Sequence, residues 1–153
     1  MKIQQLLTPS RVLCHVEVSS KRHALEILAS TMAQSISSID ADALFRRFIA
    51  RERLGSTGIG YGIAIPHCNI EECTGALGAL ITLKQPVDFD AIDSQPVDIL
   101  FAMLVPEAAH AEHLKNLAAL ASAMNSEQFR QQLRDADNNA MLYQAAIAHD
   151  ETL

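Results

Sequence analysis

The run VDILFAMLVP at residues 97–106 is almost uniformly apolar. A strand with no polar side has no face to give to water, so it belongs inside a sheet covered on both sides. At ten residues it falls well short of the roughly 18 apolar residues of a membrane helix, and no other stretch comes closer. This segment therefore asks the rest of the chain for neighbouring strands and for two layers of helix.

The flanking sequence supplies both. RVLCHVEV (11–18) is rich in β-branched residues and predicts a strand, as does GALGALITLKQPVDF (75–89). IAIP (63–66) reads as a short buried strand. SSKRHALEILASTMAQ (19–34) predicts a helix, with serine to cap it and Leu25, Leu28 and Met32 as its apolar stripe. DADALFRRFIARERL (40–54) predicts a second, opening on aspartates that suit the positive end of a helix. EHLKNLAALASAMN (112–125) predicts a third, with Leu114, Leu117, Ala121 and Met124 facing inward. Asn125–Ser126 breaks the chain before two shorter helices carrying Phe129/Leu133 and Leu142/Ile147. Strands and helices interspersed in this way predict an α/β fold: a single-domain three-layer sandwich, a mixed β-sheet with helices on both faces. No repeat or low-complexity linker divides residues 1–153.

Charge and cysteine content narrow the function. Twelve basic against eighteen acidic residues leave a formal net charge of −6 and no basic run, which argues against nucleic acid as a partner. The start MKIQQLLTPSR lacks a secretory apolar core, so a cytoplasmic protein without membrane insertion is expected. Cys14, Cys68 and Cys73 are odd in number and do not make a disulfide framework.

The chemistry concentrates in STGIGYGIAIPHC (56–68). Gly58, Gly60 and Gly62 alternate, which fits neither the dinucleotide fingerprint nor a P-loop. On spacing alone they read either as a flexible turn or as a backbone that approaches a ligand closely, with the Ser56 and Thr57 hydroxyls beside it. Pro66 stiffens the chain directly before His67 and biases Ile65 to extended geometry. In the second predicted helix, Leu44, Phe45, Phe48 and Ile49 form the buried stripe, and three residues beyond Phe48 lies Arg51, while Arg53 falls off that face. An inward arginine asks for an anion or a carboxylate, although snorkelling at the helix end or pairing in the neighbourhood of Glu52 also accounts for it. His113, with His110 one turn earlier, reads either as part of the same site or as solvated helix surface. Together these residues point to an anion site; they do not by themselves specify phosphate.

Two segments carry a family resemblance. RERLGSTGIGYGIAIPH (51–67) resembles the phosphohistidine motif of the mannitol/fructose-type (type-2) enzyme IIA domains of the bacterial sugar phosphotransferase system, especially their free-standing nitrogen-regulatory branch. VPEAAHAEHLKNLAALA (105–121) resembles the second histidine helix of that family. The resemblance spans nearly the whole chain. It implies a phosphoryl carrier without cofactor or metal, in which His67 is phosphorylated, Arg51 binds the phosphoryl group and His113 assists. Ser56, Thr57 and Gly58 are then expected to contribute further phosphate contacts. The implied donor is an HPr-like carrier (NPr), and the implied role is regulation of nitrogen or potassium metabolism through the phosphorylation state of target-binding protein. Passing phosphate to a IIB domain in fructose- or mannitol-type transport is the alternative. Where the family usually continues past the histidine with glycine and a basic residue, this chain has Cys68 and Asn69, and Tyr61 stands where small polar residues are common.

Two rivals compete with that reading. His67, Cys68 and Cys73, completed by His110 or His113, would make a metal site, though C-x-x-x-x-C is not a usual zinc spacing. A Cys68 nucleophile lacks a recognisable signature. Cys68 itself reads either as an inert buried thiol or as a redox control on the neighbouring imidazole.

Overall fold

The computed structural model describes residues 2–152, and for Ala109 and His110 the backbone alone. Among the described residues, six strands form one sheet: β1 (Val12–Val16), β2 (Gly58–Gly60), β3 (Ile63–Ala64), β4 (His67–Ile70), β5 (Leu77–Val87) and β6 (Val97–Pro106). Their order is β1-β5-β6-β3-β2, with β4 also on β6. β5 runs antiparallel to β6, whereas β3 and β4 run parallel to it, so the sheet is mixed. The apolar run is β6, at the centre, and from Ile99 onward its side chains alternate between two cores. Ile99, Phe101, Met103 and Val105 enter one core, while Leu100, Ala102 and Leu104 enter the other.

Helices α2 (Lys21–Ala33) and α3 (Ala41–Arg53) cover one face through Leu25, Leu28, Met32, Leu44, Phe45 and Phe48. Helices α1 (Ile3–Leu6), α4 (His110–Met124), α5 (Glu127–Asp135) and α6 (Asn139–Ala148) cover the other, through Ile3, Leu120, Phe129, Leu133 and Leu142 among others. This is the three-layer sandwich expected. The helices start where short polar side chains satisfy the free amides of the first turn. Ser20 accepts from the His23 amide at 3.1 Å, Asp40 from Ala43 at 2.7 Å, Ser126 from Phe129 at 3.1 Å and Asn138 from Met141 at 2.9 Å.

Three local findings differ from the sequence reading. First, the alternating glycines form a two-residue hairpin between β2 and β3, with Tyr61 at φ 59° and Gly62 at φ 79°, the paired positive angles of a type I′ turn. Secondly, the chain does not leave the sheet at Pro66. β3 and β4 are two pieces of one interrupted strand on β6, since Ile63 faces Ile99, His67 faces Met103, and the Pro66 carbonyl accepts from the Met103 amide at 2.9 Å across the gap. Thirdly, the inward side of α4 keeps Leu117, Ala121 and Met124 but not Leu114. Leu114 is exposed, and the inward line runs His113, Leu117, Leu120, Met124. Leucine at 114 fits the helical period equally well as rim or as core, so the pattern alone chose the wrong edge of the stripe.

Candidate active site

His67 opens β4, an edge segment whose one ladder partner is β6. Alternation along the interrupted strand sends Ala64, Cys68 and Ile70 towards the α2–α3 layer and Ile63 and Ile65 towards the α4 layer. His67 shares the parity of Ile65, and its ring meets His113 of α4 at 5.8 Å between centroids, tilted by 58°. His113 is 3 % exposed at the head of the apolar stripe of α4. Arg51 comes from the other layer, in the last turn of α3, half-buried, while Arg53 is exposed. The sheet edge thus brings residues of both helical layers to one cleft of about 360 Å³, lined by Arg51, His67, Cys68, Asn69 and His113. Its rim is apolar, with Leu54 84 % and Leu114 54 % exposed.

The imidazole is oriented by its own backbone. Nδ1 of His67 lies 2.7 Å from the Ile65 carbonyl oxygen. A carbonyl only accepts, so Nδ1 carries the proton and Nε2 keeps its lone pair. Burial holds the pKa of His67 below the ordinary imidazole value; the bond to Ile65 works against this, and the Arg51 charge adds to the lowering. The ring is therefore a neutral nucleophile at neutral pH. Arg51 donates one bond from Nη1 to the Gly55 carbonyl at 2.9 Å and lines the cleft with the rest of its fork. Arg47, one turn earlier, is committed to Glu72 at 3.0 Å. Among the cleft-lining residues Arg51 alone carries a permanent positive charge.

Ser56, Thr57 and Gly58 are not brought to the cleft. The Ser56 hydroxyl donates to the Phe89 carbonyl at 2.6 Å and accepts from the Gly58 amide at 3.0 Å. The Thr57 hydroxyl and amide both donate to the Glu52 carboxylate. A Cβ on Gly58 would stand 2.8 Å from that of Ala91, so this glycine serves close packing. These groups are thus bonded inside the loop: the Thr57 donors go to Glu52, the Ser56 hydroxyl to the Phe89 carbonyl and the Gly58 amide to Ser56.

The rival readings find little support in the geometry. Among the described residues no three His, Cys, Asp or Glu side chains are grouped as metal ligands, and the side chain of His110 lies outside the described residues. Cys68 turns to the α2–α3 layer, away from the ring beside it in sequence, and burial pushes its thiol up to about 12. No helix among the described residues is long and apolar enough to cross a membrane.

Comparison with known proteins bears on the fold and the family. Residues 5–148 match the family described as "Phosphoenolpyruvate-dependent sugar phosphotransferase system, EIIA 2". The nitrogen regulatory protein of Pseudomonas aeruginosa is 44 % identical over 147 residues, covering 96 % of both chains. That of Escherichia coli K12 is 44 % identical over 138 residues, 90 % of this chain and 82 % of the relative. The crystal structure of nitrogen regulatory protein IIA-Ntr from Neisseria meningitidis superposes with a TM-score of 0.85 at 37 % identity, covering 92 % of this chain and 98 % of that one. With the family matched over residues 5–148 and relatives 44 % identical along nearly the whole chain, the protein belongs to the EIIA type-2 family of phosphotransferase-system components.

Proposed function

We propose that this chain is a phosphohistidine carrier that takes a phosphoryl group onto Nε2 of His67 from an HPr-like carrier (NPr) and acts through its phosphorylation state as a regulator of nitrogen or potassium metabolism. The observation that carries the reading is the Nδ1–Ile65 bond, which leaves Nε2 unprotonated in a cleft shared with Arg51 and His113. The lone pair of Nε2 attacks phosphorus in line, and the P–N bond to the donor imidazole breaks with its electron pair returning to the donor nitrogen. The ring of His67 becomes positive on attack, and its Nδ1–H bond to the Ile65 carbonyl strengthens as it does. Arg51 meets the charge spread over the equatorial oxygens, and His113, 5.8 Å away centroid to centroid, flanks the ring on the α4 side. Leu54 and Leu114 provide an apolar rim that a docked donor covers, keeping water from the labile P–N bond.

The regulatory assignment rests on the names of the relatives, nitrogen regulatory proteins matched over nearly all of this chain. Passing phosphate onward to a IIB domain is the second reading, and the same cleft serves it. The test is incubation with enzyme I, an HPr-like carrier and phosphoenolpyruvate, followed by intact mass. One acid-labile phosphate is expected, absent in His67→Ala. Full uptake by His67→Ala overturns the assignment. Transfer from the phosphorylated protein to a isolated fructose- or mannitol-type IIB domain at a rate matching uptake would favour the transport reading.

A further inference from the structure

The loop between α3 and β2 is closed by one residue. The backbone carbonyl of Glu52 accepts from the Gly55 amide at 3.1 Å, and its carboxylate accepts from the Thr57 amide at 3.1 Å and from the Thr57 hydroxyl. From the opposite side Lys21, on the first turn of α2, reaches the same carboxylate at 2.8 Å. Lys21 also donates to the Phe89 carbonyl at 3.3 Å, which takes the Ser56 hydroxyl as well. The Glu52 side chain is 5 % exposed, so the carboxylate is desolvated and held by three donors. A group so placed is costly to bury unless every bond is made, and here it is the hub of the loop.

Both halves of the candidate site hang from this loop. On one side the Gly55 carbonyl anchors Nη1 of Arg51 at 2.9 Å. On the other, the Thr57 carbonyl accepts the Ile65 amide at 2.9 Å, and the Ile65 carbonyl holds Nδ1 of His67 at 2.7 Å. His67 is also fixed by the β6 ladder, whereas among the described residues the guanidinium is tethered by the Gly55 carbonyl alone. We propose that Glu52 is a positioning residue that, by closing the loop against Lys21 and Thr57, holds the Arg51 guanidinium in register with Nε2 of His67. The inference rests on the phosphocarrier reading for its effect on rate, and on geometry alone for its effect on Arg51. A misplacement of about 1 Å in a reacting constellation slows transfer by up to roughly a hundredfold.

The test combines a mutant cycle with a measurement of side-chain order in the full chain. Glu52→Ala should lower the maximal rate of phosphate uptake from the HPr-like carrier by about ten- to a hundredfold, with the KM for the carrier little changed. Arg51→Ala with Glu52→Ala should be no slower than Arg51→Ala alone, because a positioner has nothing left to position. Multiplying effects in the double mutant overturn the proposal. By NMR, the Arg51 Nε–H of Glu52→Ala should lose order to the level of exposed Arg53, and unchanged order overturns the proposal whatever the rates. Should the wild-type chain take no phosphate on His67, the carrier reading falls and the order measurement decides this inference by itself. Should Glu52→Ala not fold, Thr57→Val and Thr57→Ser replace it: the valine must loosen Arg51 and slow uptake, and the serine, which keeps the hydroxyl donor, must restore both. Equal behaviour of the two overturns the proposal.

Discussion

Arg51 and Arg53 sit two residues apart at the end of one helix and carry the same charge, yet the structure gives them different surroundings. Arg51 lines the cleft of His67 and is half-buried; Arg53 faces solvent. In a water-excluded site, losing one donor to a developing anion costs about 2.7–4 kcal/mol of transition-state stabilisation, a factor of roughly a hundred to a thousand. This cleft is rimmed by exposed Leu54 and Leu114 rather than sealed, so its dielectric falls fully only beneath a docked donor. The lower end of that range applies, and Arg51→Ala should slow phosphate uptake by about a hundredfold. Stability should change little, because the bond lost, Nη1 to the Gly55 carbonyl, is solvent-exposed and worth about 1 kcal/mol. Arg53→Ala removes a screened surface charge and should leave the rate within about a factor of three. Initial rates of both variants with one HPr-like carrier, at matched protein stability, make the comparison. Equal slowing by the two variants, or a defect confined to Arg53→Ala, refutes the placement of the guanidinium and with it the electrostatic argument.

Three further outcomes are expected. NMR titration should find His67 below the usual imidazole pKa of 6.5, as burial and Arg51 require, so uptake persists below pH 6.5 before protonation of Nε2 ends it. The unfolded chain binds that proton more readily, so His67 makes folding less favourable as pH falls from 6.5 towards its depressed value, and Arg51→Ala should move the acid limb of uptake upward. Cys68, pushed up to about 12, has a thiolate fraction at pH 8 of roughly one in ten thousand, so iodoacetamide should label it far more slowly than a free thiol; rapid labelling in the folded state contradicts the burial argument. Gly62→Ala places a Cβ at φ 79°, 2.5 Å from an Arg134 nitrogen and 2.8 Å from an Asp98 oxygen, whereas Gly75→Ala meets nothing within 4 Å. The first should cost about 1–3 kcal/mol and lower the melting temperature by several degrees, and the second should leave it unchanged within a degree or two.

The layers of the fold were legible because they rest on long periodic segments. β6 announced a two-sided burial, and α2 and α3 began at the serine and aspartate expected. The parts that were not legible are short. β4 is four residues of mixed polarity, stabilised by the ladder of β6 rather than by its own composition, and α1 is a single turn. His67 and Arg51 stood out for sound reasons, an imidazole after proline and an arginine on an apolar stripe. Ser56, Thr57 and Gly58 misled because hydroxyls and glycines beside a histidine look alike whether they face a ligand or their own loop. The residue that takes the Thr57 donors, Glu52, is a glutamate among arginines near a helix end, a pattern that spacing reads as surface charge. Its partner, Lys21, lies on another helix, and no local pattern joins the two.

The interrupted strand has one more consequence. His67 is held by the ladder of the central strand β6 as well as by the loop, and its backbone continues the register of β3 on the far side of Pro66. On the proposed reading, phosphate therefore arrives on a residue set in a sheet ladder, whose pairing uses backbone groups that the phosphate does not need. What differs between the two forms is the cost of covering the same surface. A partner that closes over Leu54 and Leu114 shuts in a neutral ring in one form and close to two negative charges in the other. The message would then be written in hydration, and a target would read it by how much water it must strip away to sit down.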